Sequence, residues 1–249
     1  MLELYHWEPN GAGARVMIAL AEKGLDYQSR YVDVLAFEQH KPDFMALSAT
    51  GETPVLVRDG EAYTESSYIC EYLDEAFPAS PLMPGDALSR WKARAWQKYV
   101  DDHLAASVSD LAWHAYGPKG GNFEAVAARV PIKERRDVWT RLAKGLGDDQ
   151  LSKARERVRL WVQKMETDLE AGPWLAGETY SLADIAVYAY AAYLPKLTPD
   201  LVGADAAPKT ADWLRRMGER PAVKAALAKG RAADPFAAAA PGPEHVRWG

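Results

Sequence analysis

The sequence predicts an α/β domain followed by an all-α domain, and three observations carry that expectation. The first 78 residues alternate short β-leaning runs with helical ones. A stretch with three prolines in eight residues, Phe77–Pro84, then interrupts the pattern. Beyond it, the apolar residues recur with helical spacing.

Leu2–Trp7 alternates as a first strand, and Glu8–Gly13 is a loop of Pro, Asn and glycines. Ala14–Lys23 reads as a helix with Val16, Met17 and Leu20 on its apolar stripe, closed by Gly24 at the left-handed position after a helix end. Tyr27–Asp33 is a second strand, so the chain opens β-α-β, with a right-handed crossover expected. Phe37–Leu47 is irregular or a short helix. The stretch Gly51–Pro78 organises this half. Pro54 opens the strand Thr53–Arg58, in a place where a proline is tolerated. Asp59-Gly60 is a two-residue hairpin signal, because both positions of such a turn take φ > 0. Ala62–Thr64 returns as the next strand. Ser66 or Ser67 then caps a helix with Ile69, Leu73 and Phe77 on one face. The order β-α-β-(α)-β-β-α fits a thioredoxin-like domain.

In the second half, a long helix is expected from Ala87 to about Ala115, and another over Leu151–Ala171 with Val158, Val162, Met165 and Leu169 in line. Ser181-Leu-Ala-Asp184 is a capping box for the apolar helix Ile185–Leu194. Ala211–Met217 and Ala222–Ala232 are shorter helices, with Pro221 placed near the start of the latter. The segment Gly117–Gln150 exceeds what a bundle connection needs, and carries Val130-Pro-Ile-Lys-Glu134, Trp139 and the cations Arg135, Arg136 and Arg141. The Ala- and Pro-rich tail Asp234–Gly249 is expected to be irregular or to drape over the surface. The domains are therefore placed at 1–78 and 87–249, with a linker at 79–86.

The 249 residues suffice to bury a substantial core, and 48% hydrophobic with 26% charged residues is ordinary for a globular chain. A net charge of −5 argues against nucleic acid or an anionic membrane as the main partner. No apolar run approaches a membrane span, and the N-terminus MLELYHWEPN lacks the features of a signal peptide. One cysteine, Cys70, excludes an intrachain disulfide, and a reducing cytoplasm fits. Cys70 falls inside a helical pattern and is read as a buried structural thiol. The five histidines, His6, His40, His103, His114 and His245, show no metal-ligand spacing, so no metal is expected. Glu65-Ser66 sits where a strand gives way to a helix, a position whose free N–H groups favour an anionic ligand.

The run T-P-V-L, then D-G, then T-E-S-S-Y-I-C-E-Y-L resembles the glutathione-binding half of glutathione transferases. S-L-A-D-I preceded by W-L-A-G is a second marker, which in that superfamily nucleates the core helix of the C-terminal domain. The resemblance implies a thioredoxin-like domain, a helical second domain and glutathione as co-substrate. It gives Thr53 and the cis-proline Pro54 the cysteinyl part of glutathione, and Glu65 and Ser66 the γ-glutamyl end. His40 and Lys41, in the loop Phe37–Lys41, fall at the glycyl end, together with Glu52, where relatives often have Gln. Asp101 and Asp102 resemble the acidic residue that reaches the neighbouring subunit's γ-glutamyl amine, or else form a solvated helix face.

A thiol-using enzyme must favour the thiolate, since a free thiol is only a few per cent ionised at neutral pH. The superfamily places a hydroxyl or amide donor at the end of the first strand or in the loop after it. Here no Ser or Thr lies between Tyr5 and Arg15. Asn10 is the candidate catalytic donor, or else a turn former. The backbone N–H groups of Gly11–Ala14 could add stabilisation, and Tyr5 and His6 are alternatives. A substrate pocket between the domains would draw on Trp7, Trp113, His114, Tyr116 and Trp139.

F-E-Q-H, T-E-S-x-x-I-C-E-Y-L-x-x-x-F-P, W-x-K-Y-V-D and V-P-I-x-E with a downstream Trp together resemble the bacterial glutathione-dependent β-aryl etherases. Those enzymes cleave the β-O-4 ether of lignin-derived aromatic ketones. The resemblance runs from Leu2 to about Lys224 and lacks the loop serine that some members carry. It implies a small aromatic substrate and a second subunit, either a copy of this chain or a related transferase. A general transferase or dehalogenase acting on other electrophiles, and a weakly active partner subunit, are the alternatives.

Overall fold

The protein is described from a computed structural model covering residues 1–117, 125, 128, 130–235 and 238. It opens with β1 (Leu2–His6), α1 (Gly11–Glu22) and β2 (Gln28–Tyr31). A 3-10 turn (Glu38–His40) and α2 (Pro42–Met45) follow, and then β3 (Val55–Arg58), β4 (Glu61–Tyr63) and α3 (Ser66–Ala76). The sheet order is β2-β1-β3-β4, with β1 parallel to β2 and the other pairs antiparallel. Asp59 and Gly60 take φ of 53° and 89°, as the hairpin signal requires.

The second half is helical: α4 (Ala87–Tyr99), α5 (Ala105–Tyr116), α6 (Lys133–Ala143), α7 (Asp148–Asp168), α8 (Leu182–Ala191), α9 (Leu194–Leu197), α10 (Pro208–Glu219) and α11 (Pro221–Leu227). Together these make the expected α/β thioredoxin-like half and all-helical half. The single long helix expected from Ala87 is α4 and α5 joined by one wide π-type segment, Val100–Leu104. Such segments are frequent at functional sites, and this one carries Asp101.

One core runs through both halves. Leu4, Val16, Ile18, Leu20, Leu56, Ile69 and Leu73 are each 1% exposed or less, and they continue into Trp96, Ile185 and Trp213. Each such side chain contributes about 1.5–3 kcal/mol relative to exposure. Helix α8, apolar on all sides, is buried along its whole length, and Ser181 caps its start with Asp184 completing a capping box. The buried Asp184 carboxylate accepts Ser181 N–H at 3.0 Å, Leu175 N–H at 3.1 Å and Trp213 Nε1–H at 2.9 Å. Cys70 lies in this core, and burial pushes its thiol up to about 12, which leaves it protonated and inert.

Several boundaries differ from expectation. Helix α1 begins at Gly11 rather than Ala14, because Gly11 takes φ +47° and leaves room for the Tyr190 ring, which a Cβ would meet at 3.2 Å. Helix α3 is capped at Glu65, itself at φ 64°, and no serine side chain caps it. The Ser66 and Ser67 hydroxyls instead accept from Arg15. Most of the tail Asp234–Gly249 lies outside the described residues. Among the described residues no helix is long and apolar enough to cross a membrane, and no metal-ligating cluster occurs.

Candidate functional site at the sheet edge

Strand register brings the singled-out segments to one edge of the sheet. His6 pairs with Tyr31, Tyr5 with Val55 and Leu56 with Tyr63. The loops that leave β1, β2 and β4 and the segment that enters β3 therefore emerge together. They carry Trp7–Asn10, Phe37–Lys41, Thr64–Ser66 and Thr53-Pro54. The Thr53–Pro54 peptide is cis.

Around the start of α3 the site is charged. Arg15, 1% exposed, projects from the first turns of α1. Its Nη1 donates to Ser66 Oγ at 3.2 Å, to Ser67 Oγ and to Asp101 Oδ1 at 2.8 Å. Ser67 Oγ donates to Asp101 Oδ2 at 2.5 Å. Burial works against the Arg15 charge, but the facing Asp101 carboxylate leaves its pKa raised. The guanidinium also lies 5.9 Å from the Tyr190 ring centroid. Burial and the nearby Asp101 charge raise the Glu65 carboxyl.

Arg15 was absent from the sequence-derived site, although a signal for it exists. It is the one charge in the otherwise apolar run Ala14–Leu20, and a buried charge needs partners. Its Nε and Nη2 are buried without a hydrogen-bond partner. The Arg15 cation, the Ser66 and Ser67 hydroxyls and the Asp101 carboxylate thus lie together at the start of α3, with Glu65 near enough for the Asp101 charge to act on it. A zwitterionic amino-acid end, such as the γ-glutamyl group of glutathione, fits that donor and acceptor set. Asp101 thus pairs within its own chain, while Asp102 pairs with Lys98 at 2.5 Å.

At the other end of the edge, His40 stacks on Phe37 at 6.3 Å, and both its ring nitrogens are buried without a hydrogen-bond partner. Burial lowers its pKa, so the ring is neutral near pH 7. Gly51, at φ +64°, is required there, since a Cβ would meet His40 Nδ1 at 2.7 Å. Lys41 pairs with Glu38 at 2.7 Å. Glu52 pairs with Arg135 of α6, so a residue of the long connecting segment reaches the loop before β3.

The aromatic residues divide into two groups. Trp113 and Trp139 are 4% and 3% exposed. Trp113 Nε1–H donates to Leu142 O at 3.0 Å, and the two indoles meet at 5.8 Å. Trp139 also meets Phe37 at 4.8 Å, fastening α6 to the loop after β2. These two indoles pack against internal partners, whereas the pocket expectation also drew on more exposed residues. His114 and Tyr116 are exposed at the end of α5. Trp7 is buried beside Tyr31 at 5.5 Å.

The β1–α1 loop differs from expectation. Asn10 does not present a spare amide: its Nδ2 donates to Pro235 O at 2.6 Å and to Ala238 O at 2.9 Å. The alternative donor His6 is also engaged, with Nδ1 against Trp7 O and Nε2 against Ser29 Oγ at 2.7 Å. Burial lowers its pKa.

Comparison with known proteins agrees with this arrangement. Residues 13–76 match the model of the glutathione S-transferase N-terminal domain, and residues 109–221 that of the C-terminal domain. The chain is 34% identical over 246 residues to protein LigF of Sphingobium sp. strain NBRC 103272 / SYK-6, covering 94% of this chain and 95% of that one. The crystal structure of β-etherase LigF from that strain superposes with a TM-score of 0.84 at 33% identity, covering 92% and 99% of the two chains. Glutathione S-transferase 1 of Dianthus caryophyllus is 28% identical over 187 residues, 74% of this chain and 73% of that one. A Sulfitobacter glutathione transferase homologue solved with bound glutathione superposes with a TM-score of 0.69 at 25% identity, covering 92% and 98%. From its first strand to its last helices, the chain belongs to the glutathione S-transferase family.

Proposed function

We propose that this protein cleaves β-aryl ether bonds of aromatic ketones with glutathione as the nucleophile. The observation that carries the reading is the near-full-length likeness to LigF, whose structure is described as that of a β-etherase. Thr53, Pro54, Glu65 and Ser66, joined by Arg15, Ser67 and Asp101, hold the cysteinyl and γ-glutamyl parts. His40, Lys41 and Glu52 border the glycyl end. Bound glutathione supplies a thiol whose anion attacks the carbon next to the ketone. A carbon–sulfur bond forms as the carbon–oxygen bond breaks, the phenolate leaves with the electron pair, and solvent receives the thiol proton and reprotonates the phenolate.

The chain's part is to bind, orient and favour the thiolate. Backbone N–H groups of Gly11–Gly13 at the α1 N-terminus, with the Arg15 cation one turn further on, supply positive potential without a general base. A phenolate is a good enough leaving group that positioning suffices. His114, Tyr116 and Trp7 border the space left for the aromatic partner.

A homodimer is the assembly we favour, because Tyr68, Leu88 and Trp91 stand 72%, 62% and 65% exposed on α3 and α4. The lone, buried Cys70 suits a reducing cytoplasm. Substrate profiling tests the reading. Turnover of α-aryloxy ketones should exceed that of alkyl halides and activated aryl chlorides. The reverse order would replace the etherase reading with that of a general transferase.

A further inference from the structure

The C-terminal segment is tied down by side chains of the β1–α1 loop. Glu8 is 2% exposed. Its Oε2 accepts Arg231 N–H at 2.9 Å, and its Oε1 accepts Ala232 N–H at 3.1 Å and the Tyr31 hydroxyl at 2.6 Å. The Arg231 guanidinium lies 3.8 Å from the Tyr31 ring centroid, and Lys196 pairs with Asp234. Gly230 permits the approach, since a Cβ there would meet Glu8 Oε2 at 2.8 Å. Two residues further along the loop, Asn10 adds its bonds to Pro235 O and Ala238 O.

A primary amide has two hydrogens on nitrogen, and both of Asn10's point at the C-terminal segment. The buried Glu8 carboxylate would lose two of its three donors if the segment lifted away, and a buried charge without partners is costly. These contacts span more than 220 residues of sequence. They converge on the loop where the thiol would lie.

We propose that Glu8 and Asn10 are positioning residues that hold Lys229–Pro235 and Ala238 as a fixed wall over the β1–α1 loop. The wall, rather than an amide donor, is what this loop contributes beyond backbone N–H groups, and it sets the size of electrophile that reaches the thiolate. The specificity part rests on the glutathione reading above.

The test uses the full chain with Glu8→Gln and Asn10→Ala. Hydrogen exchange of the C-terminal peptide is followed without ligand, the bound glutathione thiolate is titrated by its ultraviolet absorbance, and KM is measured for a bulky and a small electrophile. Both variants should speed exchange of the segment by about tenfold or more. Both should leave the thiol titration in place, and both should change the ratio of the two KM values. A thiol titration moved upward in Asn10→Ala, with the segment still protected, would make Asn10 the thiolate donor and overturn the proposal. Unchanged protection in Glu8→Gln, the milder substitution, would overturn it as well. A wild-type protein that binds no glutathione would refute the underlying reading and the specificity claim, while the exchange measurement would still decide whether the loop holds the segment.

Discussion

The Arg15 guanidinium, 1% exposed, donates from Nη1 to Asp101 Oδ1 at 2.8 Å, joining the first helix of the α/β half to the π-type segment of the helical half. The side chain of Asp101 is 43% exposed, so solvent reaches one side of the pair. The two partners are therefore not equivalent. Removing the carboxylate strands a buried cation, whereas removing the cation leaves a carboxylate that water can solvate. Asp101→Asn should cost about 1–3 kcal/mol of stability after allowance for that screening. Arg15→Met should cost less. Denaturant unfolding of both variants checks the order, and Asp101→Asn as the milder change would contradict it.

The same cluster gives a ligand prediction. If the Arg15 cluster holds the γ-glutamyl end as proposed, Arg15→Met removes its cation and its unpartnered Nε and Nη2 donors, so glutathione affinity should fall by one to two orders of magnitude, the worth of about one or two charge-assisted hydrogen bonds. Calorimetric titration with glutathione reads this directly. An unchanged Kd would place the γ-glutamyl end elsewhere.

Asp184 supplies a pH prediction. Burial pushes its carboxyl up to about 6, and its N–H donors offset only part of that. A carboxyl raised in the folded state binds its proton more tightly there than in the unfolded chain, so its contribution is fullest below pH 4 and declines until pH 6. At 1.4 kcal/mol per pKa unit the decline is roughly 3 kcal/mol. The stability difference between wild type and Asp184→Asn should therefore shrink from pH 4 to pH 6 and level off above it. A difference that grows over that interval would mean that the carboxylate is favoured in the fold.

Glu52 and Arg135, with side chains 23% and 11% exposed, should be coupled across the two halves. A double-mutant cycle with Glu52→Gln and Arg135→Met is expected to give an interaction energy of about 1–2 kcal/mol. Glu52→Gln should also loosen α6, seen as faster hydrogen exchange over Lys133–Ala143. Additive effects would show that the pair carries no energy of its own.

The legible parts of this protein are those with local chemistry. Pro54, the Asp59-Gly60 turn and the Ser181/Asp184 box each impose a backbone geometry on a few neighbouring residues, so the fold and most helices could be read from sequence. Ser66 and Ser67 looked like caps because cap chemistry is local. Their hydroxyls were claimed instead by Arg15, from 51 and 52 residues away. Trp113 and Trp139 gave no sign in sequence of facing each other. The Asn10 partners lie 225 and 228 residues downstream. A turn-forming Asn and a thiolate-donating Asn have the same local pattern, and neither pattern announces partners in the tail. Arg15 alone was available to closer reading.

The most direct test of the central claim is phenol release from a racemic α-aryloxy ketone, followed with and without glutathione, with both enantiomers resolved. The account predicts release that requires glutathione, equimolar glutathionyl ketone as co-product, and loss of activity in Arg15→Met. No phenol release by wild-type protein that demonstrably binds glutathione would contradict the etherase reading.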